Sequence, residues 1–254
     1  MSFADRPRGA ETTMVSDEGE RGELPRHGFQ GNRAPPPAPT GVPASLTIAV
    51  TREAGSRGNT IGSRAGLKLG WPVYNQELLE YVAQEAATRA SPADNLHPAA
   101  QEWIDARLEQ LRSKFNFGQH PSMAALAKLL LSLGCHGAVV LIGRGAGFIL
   151  PAASTLHVRV VAPTADRIAY MSQWLRLTRE QATEQVRIRD QRRADFLRTH
   201  FRRQPEDVYQ YDLVLNSSLL GEDICADLIV RAARAKLAVL QGVAPTRATE
   251  VPLD

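Results

Sequence analysis

Lysine is nearly missing from this 254-residue chain: only Lys68, Lys114, Lys128 and Lys236 among its 30 basic residues are lysines, and the rest are arginines. Arginine grips phosphate through a planar, bidentate fork, so the net charge of +3 suits nucleotide phosphates and nucleic acid alike. Cysteine is scarcer still. Cys135 and Cys225 each stand beside an apolar segment, without the clustered partners a zinc site needs, and read as buried, reduced thiols. No stretch reaches the run of about 18 apolar residues that a membrane span requires, and the opening MSFADRPRGAETT has neither the basic nor the apolar part of a secretory signal. These absences set the expectation of a cytoplasmic protein with no membrane partner. The histidines, His97, His120, His136, His157, His200 and His27, show no metal-ligand spacing, so no metal held by the protein itself is expected.

What is present is enough apolar residue, 43%, to bury a sizeable core. Residues 1–44 are rich in Pro, Gly and charge and are expected to be a disordered N-terminal tail; 242–254 read as a loose C-terminal tail, leaving 45–241 as the folded domain. Inside it, LTIAV at 46–50, AVVLIG at 138–143, LHVRVVA at 156–162 and DLVLN at 212–216 read as strands, with a short one over 71–74. Helical patterns fall between them, over 98–115 and 122–133, after Asn75, through an arginine-rich stretch, and from about Glu222 to Leu240. Strands alternating with helices predict an α/β fold: a parallel sheet with helices on both faces.

The first strand runs into REAGSRGNTIG and then a helix ending near Gly70. Glycines between a buried strand and a helix let several backbone N–H groups converge, and the helix N-terminus adds partial positive charge, so the loop reads as an anion site. The bare pattern also fits an ordinary turn. More residues bear on it. TREAGSRGNTIGSRAGLKLGWPVYNQELLEYVA, VVLIGRGAGFILP, RDQRR and YDLVLNSSLLG together, over about 46–235, resemble the cytidylate kinase-like family in order and spacing. The resemblance implies a three-layer P-loop nucleoside monophosphate kinase fold with a helical lid, ATP with Mg2+ as cofactor, and transfer of the γ-phosphoryl group to a nucleotide acceptor such as CMP. It places the donor on Gly55, Ser56, Gly58, Asn59 and Thr60, the acceptor phosphate on Arg144, and catalytic charge on Arg189 and Arg193 of the lid.

The standard phosphate loop GxxxxGK[ST] carries a lysine and a hydroxyl residue where this chain has Gly58 and Asn59. The family's own loop looks like REYGSGG and lacks that lysine too; Arg57 replaces one of its glycines. Arg57 either reaches the phosphates itself, as a catalytic substitute for lysine, or obstructs the loop; the first is the expectation, since an arginine fork can replace a lysine's charge. An aspartate that follows the arginine in true cytidylate kinases is Gly145 here, which loosens any expectation about cytosine.

From Thr178 a capping box opens the arginine helix, where Arg189 and Arg193 lie four apart on one side. Nine arginines lie between Arg176 and Arg203, with Glu180, Glu184, Asp190 and Asp195 among them. A nucleic-acid surface would want fewer acids and more stacking aromatics. Two other readings stay open: a non-catalytic nucleotide-binding or regulatory module on the same fold, and a solvated, ion-paired surface helix.

Overall fold

The computed structural model describes residues 43–79, 81, 96–115 and 121–242. The tails expected over 1–44 and 242–254 lie outside the described residues apart from Pro43, Ala44 and Gly242, as does most of the helix expected after Asn75. That helix begins with the Asn75 side chain accepting from the Leu78 N–H at 2.9 Å.

Five strands form one parallel sheet: β1 (Thr47–Arg52), β2 (Val73–Tyr74), β3 (Val139–Ile142), β4 (Thr155–Val161) and β5 (Leu213–Asn216). Their order is β2-β3-β1-β4-β5, with Thr47 of β1 paired to Val139 on one side and Thr155 on the other. β1 is therefore covered on both edges as well as both faces, which is why its sequence reads as a continuous apolar run.

Successive side chains of a strand point to opposite faces. Ile48, Val50, Val140 and Ile142 pack with Ile61 and Ala65 of helix α1 (Gly58–Leu69) and Ile229 of α7 (Ser217–Leu240). The alternate positions Ala49, Val139 and Leu141 pack with α2 (Pro98–Lys114), α3 (Pro121–His136) and α4 (Ala146–Ile149). This is the parallel sheet with helices on both faces anticipated from the strand–helix alternation, and it agrees with the three-layer P-loop kinase architecture that the family resemblance implied.

Two further helices lie beyond the carboxyl ends of the strands. α5 (Thr164–Leu175) follows β4 and pairs with α6 (Arg179–Phe201), the arginine helix and lid. The capping box forms: Thr178 N–H donates to Gln181 Oε1 at 2.9 Å while Gln181 N–H donates to Thr178 Oγ1 at 3.3 Å. α6 is anchored at both ends. Ala182 and Val186 pack with Ile168 and Met171 of α5, while Leu197 and Phe201 enter the α2–α4 core, Phe201 lying 5.4 Å from both Phe115 and Phe148. The intervening arginines are thereby held near the strand ends. Both cysteines are free and buried, with the Cys135 and Cys225 thiols pushed up by desolvation. Among the described residues no helix is long and apolar enough to cross a membrane.

Candidate phosphate-binding site

The chain leaves β1 towards the β2 edge and β4 towards the β5 edge, so a crevice opens at the carboxyl ends of these adjacent strands. The glycine loop fills it. Gly55 has φ +77°, and a Cβ there would lie 2.6 Å from the Arg167 carbonyl oxygen, so only glycine fits between loop and α5. Ser56 turns inward: its hydroxyl is shared between the carbonyls of Glu53 at 2.9 Å and Val160 at 3.2 Å, and its own carbonyl accepts from Ser217 Oγ at 2.8 Å. Ser56 thus pins the loop to β4 and α7, and any ligand role falls to its backbone. Gly58, Asn59 and Thr60 form the first turn of α1, where helix geometry leaves N–H groups directed outward.

Beneath the loop lies a chain of ion pairs that local sequence reading missed. Glu53 holds Arg159 at 3.2 Å and Arg167 at 3.4 Å, and accepts from the Ala162 N–H at 3.2 Å. Arg167 also pairs with Asp190 of α6 and donates to the Ala54 carbonyl at 3.2 Å. Asp190 in turn accepts from the Ala54 N–H at 2.7 Å and lies 3.6 Å from Arg193. Arg159 and Arg167 are buried, as is Arg189. A signal for one of them was visible: Arg159 stands among Val158, Val160 and Val161 in a buried strand, which an arginine does only with a partner. Arg167 and Glu53 carried none, because their pairing spans more than a hundred residues.

The expected site residues divide into two groups. Arg189 and Arg193 lie on the segment of α6 that Asp190 clamps to the loop. Arg57 goes elsewhere. It caps α1 in the left-handed region at φ +61°, with its guanidinium 5.0 Å from the centre of the Tyr170 ring and 3.8 Å from Glu222 of α7, both outside the loop. Glu222 also holds Arg64 at 2.9 Å.

Arg144 occupies the turn after β3, where Gly143, Arg144 and Gly145 all have positive φ, at 91°, 54° and 70°. The Gly143 N–H donates to the Val50 carbonyl at 2.9 Å, tying this turn to β1. Its surroundings are aromatic. The Arg144 guanidinium carbon lies 5.6 Å from the Phe196 ring centre, and a Cβ on Gly145 would lie 2.4 Å from the Phe201 ring. Behind it sits buried His157, edge-on to Phe148 at 5.0 Å and Tyr211 at 4.7 Å. Its Nδ1–H donates to the Gln210 carbonyl at 2.9 Å, and its Nε2 lies 3.1 Å from the Thr51 hydroxyl, which can donate to a neutral ring. Desolvation accordingly lowers its pKa to about 4.

A solved structure of an uncharacterized protein from Eubacterium ventriosum is similar over 75% of this chain and 98% of its own, at 16% identity with a TM-score of 0.61. Shikimate kinases from Bacteroides thetaiotaomicron and, in complex with shikimate, from Acinetobacter baumannii align over 74% and 80% of this chain and 98% and 97% of theirs, at 14% and 13% identity with TM-scores of 0.43 and 0.40. No curated protein matches the chain in sequence. Residues 47–219 match the sequence model of the cytidylate kinase-like family, and the chain belongs to that family.

Proposed function

We propose that this protein is a nucleotide kinase that moves the γ-phosphoryl group of ATP to a nucleoside monophosphate, with CMP the first acceptor to test. The observation that supports it most is the junction of loop and lid: the Ala54 N–H donates to Asp190 at 2.7 Å, and Asp190 follows Arg189 and precedes Arg193 on the same helix. Phosphoryl transfer asks a protein mainly for positioning and charge neutralisation, and a glycine loop joined to an arginine helix offers both.

The residues present fit a magnesium-bound polyphosphate, since the first turn of α1 follows the glycine loop and offers backbone N–H groups, and arginines lie on the helix segment joined to that loop. ATP with Mg2+ supplies the phosphoryl group and the divalent charge that offsets it. The backbone of Gly55, Ser56, Gly58, Asn59 and Thr60 would hold the donor phosphates, Arg189 and Arg193 would neutralise charge as it moves, and Arg144 would grip the acceptor phosphate.

One observation favours a non-catalytic binding module instead. The Ser56 hydroxyl, which lies in the loop, is consumed within the protein by the carbonyls of Glu53 and Val160. Purified protein incubated with ATP, Mg2+ and a panel of nucleoside monophosphates, with products separated by chromatography, distinguishes the two. A nucleoside diphosphate forming from one acceptor supports the kinase; ATP binding without any transfer supports the module.

A further inference from the structure

Gly58 stands where a standard phosphate loop has its lysine, and the space around it explains the glycine. A Cβ at position 58 would lie 2.5 Å from Arg52 Cβ and 3.0 Å from Arg52 Cγ. The stem of Arg52, the last residue of β1, therefore occupies the room that a side chain at 58 would need. Its head reaches the neighbouring turn: a Cβ on Gly143 would lie 2.4 Å from Arg52 Nη1 and 3.4 Å from its Cζ, with Gln76 Oε1 3.6 Å from the same point. Two glycines thus flank one side chain, Gly58 at its stem and Gly143 at its guanidinium, and Arg52 is 5% exposed. The guanidinium rests between the loop that suits donor phosphates and the turn that carries Arg144.

We propose that Arg52 is the catalytic cation of this site, bringing to the transferring phosphoryl group from position 52 the charge that a loop lysine would bring from 58. This rests on the kinase reading above. In the step, the bond from the γ-phosphorus to the β–γ bridging oxygen breaks as an acceptor phosphate oxygen bonds to that phosphorus. ADP leaves with the electron pair, and Arg52 stabilises the spreading charge without exchanging a proton. Arg57, turned to Tyr170 and Glu222, does not supply this charge.

The test compares wild type with Arg52→Met, which keeps the stem and removes the guanidinium, with Arg57→Ala, and with a swapped variant carrying Arg52→Gly and Gly58→Lys. Turnover with ATP and CMP, and calorimetric binding of inorganic tripolyphosphate, are the readouts. Arg52→Met is expected to lower kcat about 100-fold with KM for CMP changed less than about fivefold, and Arg57→Ala to lower kcat less than about fivefold. Moving the charge back to position 58 is expected to bring kcat within about tenfold of wild type. A merely structural Arg52, propping the Gly143 turn, leaves the swapped variant as inactive as Arg52→Met; that result, or Arg57→Ala being the more damaging change, overturns the proposal. If Arg52→Met does not fold, the swapped variant measured against wild type decides alone. If wild type transfers phosphoryl to no monophosphate, the kinase reading fails and tripolyphosphate affinity decides for Arg52: about a tenfold loss in Arg52→Met with less than about threefold in Arg57→Ala supports it. Equal losses, or no binding by wild type, overturn it.

Discussion

The loop after β1 and the turn after β3 leave adjacent parallel strands, and both depend on glycines at positive φ, yet the first is held by charge and the second by aromatic packing. Under the loop, Glu53 and Asp190 bridge Arg159, Arg167 and Arg193 into one network that reaches the lid. Around the turn, Phe196, Phe201 and Phe148 do the holding, with a neutral His157 behind them. A glycine run therefore marks where a turn falls but says nothing of its support. Under the proposed function, a loop cross-linked to the lid would couple donor binding to lid position, whereas the aromatic-walled turn would present Arg144 to an acceptor, with the Arg52 guanidinium beside it.

Adding one methyl group to each region sharpens the contrast most. Gly55→Ala forces a Cβ to 2.6 Å from a backbone carbonyl at φ +77°, and the carbonyl belongs to a packed helix that cannot yield. It is expected to cost roughly 3 kcal/mol in urea denaturation. Gly145→Ala meets the Phe201 ring, a side chain with some freedom to shift, and is expected to cost about 2 kcal/mol. A larger loss at Gly145 would reverse the comparison.

Acid should find the aromatic region. His157 in the fold has its pKa lowered to about 4, below the ordinary 6.5, so the folded state takes up its proton later than the unfolded chain. The stability owed to neutral His157 is complete above pH 6.5 and is lost as pH falls towards 4, about 3 kcal/mol over that window. Asp212 on one side and Lys236 and Arg159 on the other face the imidazole and partly cancel. His157→Gln should flatten this part of the stability–pH curve; an unchanged slope would place the acid sensitivity elsewhere.

Removing the clamp of the charged region is a smaller perturbation, because Asp190 is only partly buried. Asp190→Ala deprives Arg167 and the Ala54 N–H of one partner and is expected to cost about 2 kcal/mol. Guanidinium-chloride denaturation masks charge, so the urea midpoint is the measurement to use. A loss under about 0.5 kcal/mol would show that the loop stands without its ion pairs.

How far the sequence carried this account depends on the range of the interactions involved. Local periodicity located β1, β3, β4 and β5, and local chemistry located the caps: Thr178 with Gln181 at the start of α6, Asn75 after β2, and Gly70, left-handed at φ +68°, at the end of α1. Family resemblance carried the kinase architecture. What stayed hidden were contacts between distant segments. Glu53 and Arg167 are 114 positions apart, and nothing near either announces the other. The displacement of Arg57 towards Glu222 depends on where α7 begins, which a one-dimensional reading does not supply. Arg52 was passed over for the same reason, since its significance lies in the two glycines it separates, one close in sequence and one not.

The division of labour between the two regions has a direct test in separate calorimetric titrations of ATP with Mg2+ and of CMP into wild type and Arg144→Ala. The account predicts that the substitution weakens CMP about tenfold, the loss of one charge-assisted contact, while ATP affinity stays within about twofold. An equal loss for both nucleotides, or for neither, would contradict the assignment of donor to the charged loop and acceptor to the aromatic turn.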